Sequence, residues 1–159
     1  PLLFHRSIAE NISYSAPKTS KKEIEAIAEL AHAHEFINEL PEKYDTLVGE
    51  RGVKLSGGQK QRVSIARAII KNPPILLFDD CLSAVDTETE ERILTNLEQV
   101  SKNKTTFIIS HRVSSAKNAD QIIILDKGEI IQQGPHNQLI NEKGYYKELY
   151  EQQLLEKEN

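Results

Sequence analysis

The stretch Leu-Ser-Gly-Gly-Gln at residues 55–59 carries the clearest chemical signal in the sequence. Ser56 and Gln59 have the spacing of a capping box, in which two side chains bind backbone amides at the start of a helix. Gly57 and Gly58 then occupy the first helical turn, where each glycine costs about 1 kcal/mol relative to alanine. A helix cap without a ligand does not need such a pair, whereas a close approach to the backbone does. Because the positive end of the helix dipole lies there, residues 56–59 are predicted to bind phosphate oxygens.

Two carboxylates stand directly after an apolar run. Residues 75–78, Ile-Leu-Leu-Phe, predict a short strand buried in a parallel sheet, and Asp79 and Asp80 follow at its carboxyl end. Ligands of such sheets lie beyond the carboxyl ends of the strands. A carboxylate in this position is suited to hold Mg²⁺ through the water shell of the ion, so we predict Asp79 as a metal ligand. A simple turn at the strand end is the alternative.

His111 and Asp86 are two further polar residues at the ends of predicted elements. His111 follows the next predicted strand, residues 105–109, and its imidazole is suited to donate a hydrogen bond to a phosphate oxygen of a ligand at that edge. A lone histidine is more often structural, but a neighbouring strand that ends in carboxylates favours the functional interpretation. Asp86 precedes a predicted helix at about residues 88–101, where aspartate is a preferred N-cap.

Strands and helices alternate along the second half of the sequence, which predicts an α/β fold with a mostly parallel sheet. Proline and glycine residues end the predicted elements. The remaining predicted elements are a small helical region at residues 7–52, a helix at 56–71, a short helix at 114–118, a hairpin of strands at 122–125 and 129–132, and a helix at about 137–155. The polar residues 151–159 are predicted to fray.

The overall composition excludes several classes of function. The 159 residues are 38% apolar and 28% charged, as in an ordinary globular domain, and their net charge of -4 provides no positive surface for nucleic acid. No apolar run approaches the roughly 20 residues that cross a membrane. Cys81 is the only cysteine in the sequence, so it predicts neither an internal disulfide nor a cysteine zinc site.

At these residues the sequence resembles the nucleotide-binding domain of ATP-binding cassette (ABC) transporters. Residues 55–59 match the signature motif of that family, and residues 75–79 resemble its Walker B strand. Residues 83–86, Ser-Ala-Val-Asp, are similar to the D-loop, and Ser110 with His111 to the switch region. The resemblance implies a truncated P-loop NTPase fold, with a mostly parallel sheet and a helical subdomain. It also implies ATP and Mg²⁺ as cofactors.

The resemblance assigns the motifs to two different sites. In the family, two such domains face each other head to tail, and the signature of one covers the ATP held by the other. Residues 56–59 of this chain would therefore complete the site of a partner domain, whereas Asp79, Asp80 and His111 would serve its own site. Asp86 would lie at the contact between the two domains.

Position 80 departs from the family pattern. The family normally has glutamate after the Walker B aspartate, where it acts as the general base on the attacking water. Asp80 is one methylene shorter, and a base must come within about 3 Å of its proton donor, directly or through one water. Hydrolysis at this site is therefore expected to be poor. An aspartate here resembles the degenerate half of heterodimeric ABC exporters, which pair a weak site with a competent one.

The phosphate-binding loop of the family, Gly-x-x-x-x-Gly-Lys-Ser/Thr, does not occur in the sequence. We therefore expect the chain to be an excised piece that begins after the Q-loop of the family. Its expected domains are a helical subdomain at about residues 7–71 and part of the α/β core at about 72–159. The piece alone is expected to be soluble and to have no ATPase activity, and apolar surface that normally meets the missing strands is expected to be exposed.

Phe4 and two short stretches favour an exporter over an importer. Residues 8–12 and 48–52 resemble exporter sequences, and the second is similar to the x-loop that touches the coupling helices of the membrane domain. Glu50 and Arg51 in a solvated turn are the structural alternative. The implied partners are a second nucleotide-binding domain and the coupling helices, at the cytoplasmic face of the cell membrane. The alternative function is a soluble ABC-type ATPase with no role in transport, although such proteins usually carry long linkers or coiled coils.

Overall fold

The computed structural model describes residues 2–49 and 52–158 of the chain. Its elements are, in chain order, α1 (Ile8–Ile12), α2 (Lys21–Leu30), α3 (His34–Glu39), α4 (Gly57–Ile69), β1 (Ile75–Asp79), α5 (Thr87–Ser101), β2 (Thr105–Ile109), α6 (Val113–Ala116), β3 (Ile122–Asp126), β4 (Glu129–Gly134), α7 (His136–Leu139) and α8 (Tyr145–Glu158). Single turns of 3-10 helix lie at Ser13–Ser15 and Lys43–Asp45. Helices and strands alternate from α4 to β3, as the sequence predicts for an α/β fold.

Contacts between the elements divide the chain into two compact units, Pro1–Phe107 and Ile108–Asn159. In the first unit, α1 and α2 pack against α4 around a core of aliphatic side chains that includes Ile8, Ile12, Ala28, Val63 and Ala66. The second unit has a smaller core built from Val113, Ile122, Leu139 and Tyr146. The predicted domains at about residues 7–71 and 72–159 stay a prediction.

Side-chain caps fix where α4 and α5 begin. The Gln59 amide donates to Ser56 Oγ at 3.2 Å, and the Ser56 amide donates to Gln59 Oε1 at 2.9 Å. The predicted capping box is therefore present, and α4 begins at Gly57. At the start of α5, the Thr89 amide donates to Asp86 Oδ1 at 2.9 Å. Both helices thus begin where their polar side chains bind amides of the first turn.

β1 and β2 pair in a two-stranded sheet, and α5 connects them, as is typical of neighbouring parallel strands. β1 buries Leu76 and Phe78 but exposes Ile75 and Leu77. The strand that the sequence predicts to be buried is therefore buried on one face only within the described residues. The exposed side chains agree with the apolar surface that the sequence analysis expects.

β3 and β4 form the predicted hairpin, and they are antiparallel. The turn between them places Lys127 at a φ of 49° and Gly128 at a φ of 85°. Two-residue hairpin turns with positive φ at both central residues match the twist of the two strands that they join. Glycine adopts a positive φ without steric cost. An irregularity in register between Ile124 and Leu125 bends the ladder.

The end of the chain differs from the prediction of one helix. α7 and α8 are separate helices, and Gly144, with a φ of 154°, immediately precedes α8. α8 runs on to Glu158, beyond the predicted helix end at about residue 155. The fraying of residues 151–159 stays a prediction, and Asn159 lies outside the described residues. Tyr146 anchors this helix, since its side chain is buried and its amide donates to Gln132 Oε1 at 3.0 Å. None of the helices in the described part of the chain is long and apolar enough to cross a membrane.

Candidate functional site

The start of α4 presents two backbone amides to its surroundings. The Gln59 amide is taken by Ser56 Oγ, and the Lys60 amide donates to the Ser56 carbonyl at 3.0 Å. Within residues 2–49 and 52–158, the amides of Gly57 and Gly58 donate to no protein group. The first turn contains no acidic residue, and the helix is 13 residues long, so its dipole is unopposed at this end. The geometry is suited to bind an anion.

Gly58 also has a close neighbour in its own chain. A Cβ atom at Gly58 would lie 2.7 Å from the carbonyl oxygen of Ala84, and one at Gly57 would lie 3.2 Å from the Ala84 Cβ. The segment that follows β1 therefore lies directly against the first turn of α4. This contact within the chain is sufficient to require glycine at position 58, a requirement that was not predicted from the sequence. The phosphate contact of the pair stays a prediction.

Gln61 ties α4 to that same segment and was missed by the sequence analysis. Its Oε1 accepts from the Ala84 amide at 2.9 Å, and its Nε2 donates to the Asp80 carbonyl at 3.2 Å and to Ser83 Oγ at 3.0 Å. The side chain is buried. The available signal is its place on the buried face of the helix, one turn before Ile65. A glutamine on an otherwise apolar face indicates a polar contact inside the fold.

Asp79 and Asp80 lie at the carboxyl end of β1, as predicted, and both are exposed. They line a cleft of about 490 Å³ between α4 and the segment after β1, together with Gln61, Ser64 and Ser83. Asp80 has a φ of 46°, in the left-handed region, which aspartate tolerates better than most residues. The two carboxylates therefore face an open space that a ligand can enter.

Asp79 fits a ligand of Mg²⁺ that arrives with a nucleotide. Among the described residues, no group of three or more metal-binding side chains is close enough together to hold an ion by itself. Mg²⁺ keeps several waters and is usually bound by one or two carboxylates together with substrate phosphates. The donor set of the cleft, carboxylate oxygen on an exposed strand end, matches that chemistry. It does not match a resident metal held by protein ligands alone.

Cys81 lies on the same cleft, in surroundings that disfavour its thiolate form. Burial raises the pKa of its thiol to about 11, and the carboxylates nearby act in the same direction. The thiol is therefore protonated near neutral pH, whereas only the thiolate reacts readily. The chemistry of this cleft rests on its carboxylates.

Asp86 caps α5, which was the structural alternative for this residue. The bond from the Thr89 amide lowers the pKa of the Asp86 carboxyl, and the positive charge of Arg62 contributes in the same direction. Arg62 on α4 lies with its guanidinium 4.8 Å from the centre of the Phe36 ring and donates to the His32 carbonyl at 2.6 Å. The predicted place of Asp86 at a contact with a second domain stays a prediction.

The predicted site residues fall into both units of the chain. Residues 56–59, Asp79, Asp80 and Asp86 belong to the first unit, and the segment from Asp80 to Asp86 follows β1 directly against the start of α4. His111 belongs to the second unit, where it follows β2 and is exposed. The side chain of Ser110 accepts a hydrogen bond from the Arg112 amide at 3.0 Å, which holds the backbone beside His111.

A family model described as "ABC transporter" matches residues 2–83, which include the first turn of α4, the carboxyl end of β1 and the start of the segment that follows β1. This match covers just over half of the chain. The chain belongs to the ABC transporter family. Its folded architecture is therefore that of an ABC ATPase, a P-loop NTPase fold with a parallel sheet and helical elements.

Similar proteins of this family are exporter-type ABC proteins. The chain is 52% identical over 151 residues to an uncharacterized ABC transporter ATP-binding protein, YknU, of Bacillus subtilis. The aligned residues make up 95% of this chain and 26% of that protein. The chain is 47% identical over 156 residues to the ATP-dependent lipid A-core flippase of Chromohalobacter salexigens, an alignment that covers 98% of this chain and 27% of the flippase. The structure of a bacterial Atm1-family ABC exporter with ATP bound superimposes on this chain with a TM-score of 0.90 at 47% sequence identity. The superposition covers 96% of this chain and 27% of the exporter chain.

The ABC chain thus spans about a quarter of the length of these relatives. Its predicted x-loop is described only in part, because Glu50 and Arg51 lie outside the described residues. The neighbouring backbone is held in place, since the Val48 amide donates to the Arg6 carbonyl at 3.0 Å and Gly49 lies against His5. The contact of this loop with coupling helices stays a prediction.

Proposed function

We propose that this ABC chain is part of the nucleotide-binding domain of an exporter, in which ATP binding and hydrolysis drive the transport of a substrate across a membrane. The observation that carries the proposal is the superposition of 96% of the chain on an ATP-bound exporter at 47% identity. The free amides of Gly57 and Gly58 and the carboxylates of Asp79 and Asp80 support it, because they are the groups that bind phosphate and Mg²⁺.

The proposed domain acts as one half of a pair of such domains. Ser56, Gly57, Gly58 and Gln59 bind the phosphates of ATP held by the partner domain, so these residues complete a site that is not their own. Asp79 binds Mg²⁺ at the chain's own site, and His111 donates to the γ-phosphate there. Asp86 lies near the contact between the halves. When Mg²⁺ is bound with the nucleotide, it neutralises phosphate charge as the terminal phosphoryl group is transferred to water.

The site that this chain builds is proposed to hydrolyse ATP slowly. Asp80 is the general base, and its short side chain reaches the attacking water less well than glutamate does. A partner chain with the longer base would then supply most of the turnover, as in an asymmetric heterodimer. The pair works on the cytoplasmic face of a membrane, through the coupling helices of a transmembrane domain. The chain of 159 residues alone is proposed to be inactive, since it has no phosphate-binding loop.

The experiment that tests this function is an ATPase assay on the complete gene product, purified in lipid nanodiscs with any partner chain. We expect Mg²⁺-dependent ATP hydrolysis that falls at least about tenfold in Gly58→Asp, and further than in Gly58→Asn, which meets the Ala84 carbonyl in the same way but places no negative charge beside the expected phosphate. The gene should also encode about six apolar spans of roughly 20 residues each. A complete gene product that lacks such spans and still hydrolyses ATP would instead support the non-transport ATPase.

A further inference from the structure

Gln153 on α8 makes two hydrogen bonds to the segment that follows β2. Its Nε2 donates to the His111 carbonyl at 2.8 Å, and its Oε1 accepts from the Val113 amide at 2.9 Å. Asparagine and glutamine are the side chains that offer a donor and an acceptor side by side. Gln153 therefore bonds the backbone of this segment as a neighbouring strand would, although it lies about 40 residues further along the chain.

These bonds serve backbone groups that the short helix α6 does not satisfy by itself. Val113 is the first residue of α6, and Arg112 at the N-cap position makes no side-chain cap. Amides in the first turn of a helix have no partner within the helix, and leaving one unpaired near buried Val113 would be costly. Gln153 supplies the missing acceptor.

The peptide between His111 and Arg112 is held at both of its polar groups. Gln153 binds the His111 carbonyl, and Ser110 Oγ accepts from the Arg112 amide at 3.0 Å. The imidazole of His111 is exposed and, in the described part of the chain, makes no hydrogen bond. The fixed backbone sets the position of the His111 Cα and the direction of its Cα–Cβ bond, and the exposed ring keeps both nitrogens available to a ligand.

α8 is a firm support for Gln153, because its first turn is fixed to β4 and α7. The Tyr146 amide donates to Gln132 Oε1 at 3.0 Å, and the Tyr146 hydroxyl is 2.8 Å from His136 Nδ1. Gln153 lies seven residues after Tyr146, two helical turns away and on the same face. The helix that is buried at Tyr146 therefore presents Gln153 to the backbone of His111.

We propose that Gln153 is a positioning residue that directs His111 toward the γ-phosphate of ATP bound at this chain's own site. The proposal rests on the proposed function, in which His111 donates to that phosphate. The effect of Gln153 appears only when a γ-phosphate is present, so Gln153 contributes to the preference for ATP over ADP. It does not contribute to the affinity for ADP.

The test uses the complete protein in nanodiscs, with the phosphate-binding loop of any different partner chain disabled so that only this site binds nucleotide. The affinities for ATP and ADP are measured by displacement of trinitrophenyl-ATP. We expect Gln153→Ala to lower the preference for ATP over ADP about tenfold, the size of one or two lost hydrogen bonds, with ADP affinity within about twofold of the parent. Gln152→Ala is the matched control, since among the described residues that side chain donates a hydrogen bond only to Glu156 on its own helix.

Two further variants distinguish a positioning role from general stabilisation of α8. In a His111→Ala background, Gln153→Ala should cause no further loss of ATP preference, because it acts through that ring. Gln153→Glu keeps an acceptor for the Val113 amide but loses the donor to His111. We expect it to lower ATP preference while hydrogen exchange at Val113 stays as slow as in the parent.

The outcomes separate this proposal from the proposed function. If His111→Ala lowers ATP preference and Gln153→Ala does not, or if their losses multiply in the double variant, the positioning role is overturned and the proposed function stands. If His111→Ala leaves ATP preference unchanged, the γ-phosphate contact fails, and the role of Gln153 fails with it. A loss of ADP affinity equal to the loss of ATP affinity in Gln153→Ala also overturns the proposal.

Discussion

The Cβ position of Gly58 lies 2.7 Å from the carbonyl oxygen of Ala84, so the first turn of α4 meets the segment after β1 backbone against backbone. At a distance below 3.0 Å, any side chain at position 58 forces one of the two backbones to move. The residue that precedes it is less constrained, because a Cβ at Gly57 meets only the Ala84 methyl, at 3.2 Å. Two adjacent glycines therefore have different structural requirements.

Alanine substitution should separate these two glycines. Gly58→Ala gains about 1 kcal/mol of helix propensity but loses about 1–3 kcal/mol through overpacking against Ala84, so we expect a net loss of stability of up to about 2 kcal/mol. Gly57→Ala keeps the gain and should be neutral or slightly stabilising. Denaturant unfolding of the complete nucleotide-binding domain measures both. Equal stability of the two variants would contradict the close contact at Ala84.

Gln61 should control the conformation of the segment between Asp80 and Ala84. Gln61→Leu has a similar volume but removes three hydrogen bonds, so we expect a loss of roughly 2 kcal/mol and faster hydrogen exchange at the Ala84 amide. Gln61→Glu keeps the acceptor for Ala84 and should preserve slow exchange there. Hydrogen exchange monitored by mass spectrometry on the complete protein measures this difference. Unchanged exchange in Gln61→Leu would show that Gln61 does not hold the segment.

Asp80→Glu should raise ATP turnover at this chain's own site and slightly lower stability. The longer side chain brings the base closer to the attacking water. A tenfold gain in rate requires the activation free energy to fall by only about 1.4 kcal/mol. The φ of 46° at position 80 opposes the change, because glutamate tolerates the left-handed region less well than aspartate, at a cost of up to about 1 kcal/mol. Turnover is measured with the general base of any different partner site removed. No gain in that background would argue against a base limited by its reach.

The cap at Asp86 should make stability depend on pH in the acidic range. The pKa of its carboxyl is lower in the folded chain than in the unfolded chain, mainly because of the bond from the Thr89 amide. Its contribution to stability is therefore complete above the unfolded pKa of about 3.9 and is lost as the pH falls through the lower folded pKa. Asp86→Asn keeps an N-cap acceptor without a titrating charge, so its loss of stability as the pH falls below about 4 should be smaller than in the parent. Asp86→Ala should be less stable at pH 7 as well, and an identical pH dependence in all three would refute the capping role.

The local features of the fold were predictable because short-range sequence determines them. The capping box of Ser56 and Gln59, the turn at Lys127 and Gly128 and the limits of β2 each depend on residues within a few positions. These signals placed the start of α4 and the hairpin correctly. They are strong because the backbone groups concerned have few alternative partners.

The missed features depend on contacts across long stretches of sequence. Gln61 bonds Ala84, 23 residues away, and Gln153 bonds His111, 42 residues away, and neither contact leaves a local pattern. The break before α8 was missed for a related reason, since the Tyr146 amide is bound by Gln132 on β4. The burial of β1 on one face only was not predictable, because an apolar run does not tell how many of its faces are covered.

The position of the first turn of α4 in the ATP-bound assembly tests most directly whether residues 56–59 complete the site of a partner domain. A structure of the complete assembly with ATP and Mg²⁺ would measure the distances from the amide nitrogens of Gly57 and Gly58 to the nearest phosphate oxygens. We predict hydrogen-bond distances of about 3 Å to a nucleotide held by the partner domain, with Asp79 and His111 at the other nucleotide. If the two amides face away from both triphosphates, or bind the nucleotide of their own domain, the assignment of the signature to the partner's site is wrong.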